Sequence, residues 1–118
     1  MALKSDLMAG SLPWEAANKL GFDVLQTVTA AGTTQTGATA LNTNCANVTT
    51  SSIGAGVIIT EPNARNFIWN AGPNTLTIYP PVGQNFVNLS ANVGFTLASG
   101  NGVTIEGDGT TLLPMYTN

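Results

Sequence analysis

Histidine is absent from these 118 residues, cysteine occurs once, and lysine and arginine together number three. Without histidine the usual proton shuttle at neutral pH is missing, and neither a Ser/His nor a Cys/His nucleophile can be assembled within one chain. The single Cys45 has no partner for an intrachain disulfide and no histidine to complete a zinc site, so it reads as a small apolar residue. Lys4, Lys19 and Arg65 stand far apart, which excludes a phosphate-neutralising face and with it nucleic acid as a partner. No apolar run approaches the roughly 18 residues that span a bilayer, and no basic start precedes an apolar stretch. The expectation is a protein made soluble, without an export signal and without a membrane partner. Charged residues make up 8% of the chain, against about 25% in average soluble proteins. Its surface is therefore covered by Thr, Asn, Ser and Gly, and is suited to packing.

What is present is enough for one domain: 43% of residues are hydrophobic, which supports a single modest core. The few charges are unevenly placed, with Lys4, Asp6, Glu15, Lys19 and Asp23 at the start and none from Val24 to Thr60 or from Asn66 to Ile105. Residues 1–22 read as a short helical N-terminal arm. Ser5 with Asp6, and Ser11 with Pro13 and Glu15, are helix-start signals, and Gly21 is a stop. Leu3, Leu7, Met8, Leu12, Trp14, Ala17 and Leu20 fall near a helical period that Gly10 and Pro13 divide into two pieces. Helices this short are marginal in water and need a surface to pack against.

Residues 23–118 carry β-branched and aromatic residues in short runs punctuated by Gly, Asn and Pro, the pattern of an all-β domain. Ten strands are expected: Val24–Thr29, Thr36–Leu41, Asn47–Ser51, Val57–Thr60, Asn66–Trp69, Thr75–Tyr79, Phe86–Asn88, Phe95–Ala98, Val103–Glu106 and Thr111–Met115. In the stretch "WNAGPNTLTIYPPVG", Asn70 to Asn74 is turn chemistry that predicts a hairpin, and Pro80-Pro81 ends the return strand. Gly100-Asn101-Gly102 and Gly107-Asp108-Gly109 mark two more tight turns. No internal repeat is strong enough to support a solenoid, and Thr29–Ala40 is the one low-complexity stretch. The spacing predicts an antiparallel sandwich, meander or jelly-roll-like, over residues 23–118, preceded by the arm.

Candidate chemistry is sparse. Glu106 and Asp108, two apart, could share one face as an acid/base pair or cation site, and the competing reading is a pair of solvated turn acids. Glu61 and Arg65 can form a loop ion pair, worth little when exposed. Gly54-Ala55-Gly56 and Gly100-Asn101-Gly102 are too short for a phosphate loop and read as turns. The sequons at Asn47 and Asn88 read as chance in an Asn/Thr-rich chain. Trp14, Trp69, Tyr79 and Tyr116 could stack on a sugar or belong to core and subunit interfaces. No catalytic, cofactor-binding or metal-ligating residue is assigned, and an enzyme is not expected.

The stretch "WNAGPNTLTIYPPVGQNFVNLSANVGFTLASGNGVTIEG" resembles a module of tailed-bacteriophage virion proteins. Its pattern is an Asn-x-Gly-x-Asn hairpin, an apolar-x-Ile-Tyr-Pro strand, a Gly, an Asn-containing turn and a Leu-x-x-Gly approach to the last strands. The opening "MALKSDLMAGSLPWEAANKLGFD" and "TAAGTTQTGATAL" are similar to the starts of small phage structural proteins. At its end, "LLPMYTN", the chain departs from the Trp-containing strand with which such modules often close. The resemblance implies a small capsid decoration (cement) protein, made in the host cytoplasm and carried on the capsid surface of the virion. It would tie neighbouring major capsid protein subunits together and self-associate as a trimer or dimer. Leu3, Leu7, Met8, Leu12 and Trp14 are the expected apolar anchors on the capsid or a sister subunit. The same module occurs in tail fibres and spikes, so a receptor- or glycan-binding role is the alternative; copy number per particle separates the two.

Overall fold

The computed structural model describes residues 25–49, 53–60 and 65–117. Ten strands run in order: β1 Gln26–Val28, β2 Thr39–Leu41, β3 Cys45–Val48, β4 Gly56–Ile59, β5 Asn66–Asn70, β6 Leu76–Tyr79, β7 Asn85–Phe86, β8 Phe95–Leu97, β9 Gly102–Gly107 and β10 Thr111–Thr117. Each lies within a few residues of an expected strand, and the all-β expectation holds. The helical arm over residues 1–22, with Leu3, Leu7, Met8, Leu12 and Trp14, lies outside the described residues.

Pairing differs from the expectation. The sheets are mixed: a six-stranded sheet of order β1-β3-β5-β9-β10-β7 and a four-stranded sheet of order β2-β4-β6-β8. From β1 to β6 the chain alternates between them, and within each sheet these strands are parallel. Gln26 stands opposite Ala46 and Ala46 opposite Ile68, steps of 20 and 22 residues; Thr39–Val57 and Val57–Ile78 step by 18 and 21. The chain thus winds three times as a coil with no repeated motif. After β6 it reverses: β8 runs antiparallel to β6 and β9 antiparallel to β5. Of the described strands only β9 and β10 are sequence neighbours paired as a hairpin. A jelly roll of antiparallel strands is therefore corrected to a parallel coil closed by antiparallel strands.

The turn in "WNAGPNTLTIYPPVG" shows why. β5 and β6 belong to different sheets, so Asn70–Asn74 is an arch between layers and not a hairpin within one. Asn70 is fully buried and ties the arch together. Its Nδ2 donates to the carbonyls of Asn74 and Leu97, each at 2.9 Å, and its Oδ1 accepts from Gly72 N–H at 3.1 Å. The side chain supplies the hydrogen bonds that a chain leaving one sheet for another cannot find in a ladder.

The two sheets enclose one core of alternating inward residues, among them Val48, Ile68, Val103 and Ile105 from the wide sheet and Val57, Ile59, Leu76, Ile78 and Leu97 from the narrow one. Each such aliphatic side chain stabilises the fold by about 1.5–3 kcal/mol on burial. On the outside of the narrow sheet the Tyr79 ring lies across two glycines. A Cβ on Gly56 would stand 2.7 Å from Tyr79 Cε2, and one on Gly94 2.9 Å from Cδ1. The small residues make room for a ring whose hydroxyl donates to Thr33 O, pinning the β1–β2 connection.

Candidate interaction surface

Among the described residues no three of Cys, Asp and Glu cluster as a metal site would require. Glu106 and Asp108, two apart in sequence, face different partners. Arg65, next to β5, stands across the ladder from Glu106 and the two form an exposed ion pair. Glu61, the partner expected for Arg65, lies outside the described residues. The Asp108 carboxylate turns back into its own loop, where its Oδ1 accepts from Thr111 N–H at 2.9 Å and from Thr110 N–H and hydroxyl, each at 3.0 Å. These bonds, the Thr111 amide first, hold its carboxyl below the usual Asp value. A depressed folded value means that the stabilisation is present above the unfolded value and is lost as pH falls through the folded one. An NMR titration is expected to place the Asp108 midpoint below that of a peptide Asp, near 3.9. A midpoint at or above the peptide value would mean that the turn is open in solution.

The aromatic residues considered as a sugar platform point to separate surfaces. Trp69 is on the outside of the wide sheet, Tyr79 on the outside of the narrow sheet, and Tyr116 on the inner side of β10; Trp14 lies outside the described residues. They do not form one stacking surface.

What the fold does gather is an apolar surface on both sides of β10. On the outside of the wide sheet, register aligns Cys45, Phe67, Thr104 and Met115 in one cross-strand row. Trp69 lies one level along on β5, and Leu113 lies opposite Glu106. Trp69, Leu113 and Met115 remain 38–47% exposed. Within this row the Cys45 thiol is half-buried, and burial pushes its pKa up, which disfavours the reactive thiolate.

The other side of β10 forms a groove because the wide sheet has two strands more than the narrow one. With no facing strand at that end, the space is filled by an aromatic ladder. Phe86 meets Phe95 edge-on at 4.7 Å, and Phe95 meets Tyr116 edge-on at 5.6 Å. A groove of about 340 Å³ remains, lined by Val87, Asn88, Leu89, Leu113, Pro114 and Tyr116 over Phe86 and Phe95, so that Leu113 borders both the groove and the outer face.

No family model, curated protein or solved structure matches this chain. Chemistry on the surface is therefore what its use has to be argued from. Sequence reading passed over Val87, Leu89, Leu113 and Met115. The signal for the last two was the run "LLPMY": apolar residues on both faces mark a strand without a polar side, and its proline marks a position left unpaired on one flank.

Proposed function

We propose that this chain is a phage capsid decoration (cement) protein, carried on the outer capsid surface, where it stabilises contacts between major capsid protein subunits. The supporting observation is the exposed apolar surface around β10 in a domain with almost no charge. Such a domain acts by covering and being covered, and each modest contact multiplies over the many equivalent sites of a shell. The resemblance of its turn and strand pattern to phage virion modules supports the same reading. In it, Leu3, Leu7, Met8, Leu12 and Trp14 anchor the protein to the capsid, while the β domain supplies contacts between copies.

Densitometry of purified virions is expected to show on the order of hundreds of copies per particle, as a repeated clamp requires. A few copies confined to the tail would replace this reading with an adsorption role. Replacing Leu3, Leu7, Met8, Leu12 and Trp14 together by Ser is expected to abolish binding to undecorated capsids while leaving the β-type circular dichroism intact. Undiminished binding would overturn the assignment of the anchor.

A further inference from the structure

The chain enters β1 beside the apolar outer face of the wide sheet. Continuing the β1–β3 register one residue back from Gln26 and Ala46 sets Leu25 opposite Cys45, at the near end of the row Cys45, Phe67, Thr104 and Met115. Leu25 is 59% exposed, so the row runs from one apolar side chain open to solvent at β1 to another, Met115, at β10. The segment before Leu25 therefore leaves the sheet at the edge of the surface that most needs a cover.

That segment has the matching chemistry. In a helix, Trp14, Ala17 and Leu20, three apart, would share one side, while Glu15 and Lys19, four apart, would fall on the other. Such a piece buries its apolar side and leaves an ion pair in water. The reach is sufficient. Four strand spacings, about 19 Å, separate Leu25 from β10. Five residues back to Leu20 span at most about 17 Å, and a helical path on to Trp14 adds about 9 Å. Trp14 can thus reach Met115 while Leu20 lies over Cys45 and Phe67, and one helix, about 10 Å across, covers the row. Charge sets no obstacle. The charged residues among those described are Arg65, Glu106 and Asp108; the first two pair with each other and the third bonds to its own loop. An apolar helix side laid on this face strands no buried ion.

The tether selects the occupant. A segment joined to the face by a few residues meets it at an effective concentration on the order of mM, which a second copy reaches only in very concentrated solution. We propose that residues 13–20 dock across the outer face of the wide sheet of their own chain, with Trp14 toward Met115 and Leu20 toward Cys45 and Phe67. The proposal goes beyond the decoration reading and does not depend on it, because every readout is taken on the isolated full chain. In the decoration reading, the apolar anchor is stored on the sheet, and arm and face become available together when a capsid competes for the arm.

In a full chain carrying Trp69→Phe, Trp14 is the remaining tryptophan of the two. Its emission is expected to be blue-shifted and shielded from acrylamide at every protein concentration. In that background Met115→Lys, or Leu25→Lys at the other end of the row, should lower the ratio of docked to undocked arm on the order of 10-fold or more, read as red-shifted and quenchable Trp14. Cys45 gives a second readout with Trp69 in place: Trp14→Ser together with Leu20→Ser should speed alkylation of its half-buried thiol several-fold. Thr96→Lys, exposed on the narrow sheet, is the control, and far-UV circular dichroism checks folding of each variant. Trp14 that is as quenchable in the folded chain as in urea would overturn the proposal. Shielding that appears only as protein concentration rises would overturn it in favour of a second copy's arm. Release of Trp14 by Leu89→Lys but not by Met115→Lys would move the seat to the groove, and release by Thr96→Lys would remove the face from the account altogether.

Discussion

Asn70→Leu is expected to destabilise the protein by about 2–4 kcal/mol, because it removes three hydrogen bonds to buried backbone groups at roughly 0.5–1.5 kcal/mol each. Leucine is close in size, so the site stays filled and the loss is that of hydrogen bonds. The bonds lost are those to Asn74 O, Leu97 O and from Gly72 N–H. The same residue's backbone accepts from Gly100 N–H at 2.8 Å and donates to Asn101 O at 2.9 Å, so the β8–β9 turn is tied to the β5–β6 arch through one position. A domain of this size has only about 5–15 kcal/mol of stability, and thermal unfolding should shift down by about 10–20 °C. Asn70→Asp keeps the acceptor for Gly72 but loses both donated bonds. Its deficit should grow as pH rises through the carboxylate range, since a buried charge then faces two carbonyl oxygens. Urea melts that place Asn70→Leu within about 1 kcal/mol of wild type would mean that water reaches the arch and replaces the side chain.

Strand positions were legible because they depend on local signals. Leu76 and Ile78 alternate with Thr77 and Tyr79, Pro80 ends the run, and β6 indeed ends at Tyr79. Pairing was not legible, because the same signals serve two geometries. Asn70-Ala71-Gly72-Pro73-Asn74 marks a reversal of direction, and nothing local says whether the next strand joins its neighbour or crosses to the opposite layer. The parallel partners, such as Val57 and Ile78, are 21 residues apart and share no motif, so the coil leaves no repeat to find. What ties the arch into the coil is tertiary: the Asn70 bond to Leu97 O, 27 residues away, forms only once β8 is in place.

The same distinction governs the surface. That Leu112 is buried and Leu113 exposed follows from alternation along β10. That the groove exists at all follows from β7 being two residues long and from the wide sheet outrunning the narrow one, which no single stretch of sequence encodes. Exposure of Trp69 and Met115 is likewise a property of register across four strands. An apolar surface of this kind is hidden from motif reading, because apolar contact needs shape and area rather than particular functional groups.

Phe86→Ala should cost about 3–5 kcal/mol, the range for deleting a fully buried ring whose surroundings close only partly over the space. Phe86 is wholly buried and supports the aromatic ladder from beneath, with Phe95 at 4.7 Å and an interplanar angle of 83°. It is also half of β7, which is joined to β10 only through Thr111 and Leu112. Removing the ring therefore acts twice. It leaves a void under Phe95, and it unpins the strand that positions Val87 and Leu89 on the groove rim. Val87→Ala makes the contrast, since Val87 is 40% exposed and its truncation should cost well under 1 kcal/mol in the isolated domain. Phe86→Leu keeps most of the volume and should fall between the two, near 1–1.5 kcal/mol. Chemical denaturation orders the three variants, and near-UV circular dichroism follows the aromatic packing. If Phe86→Ala proved no more destabilising than Val87→Ala, the ladder would not be supporting that end of the sheet. The groove would then be a flexible feature of the surface and too poorly formed to hold a neighbour.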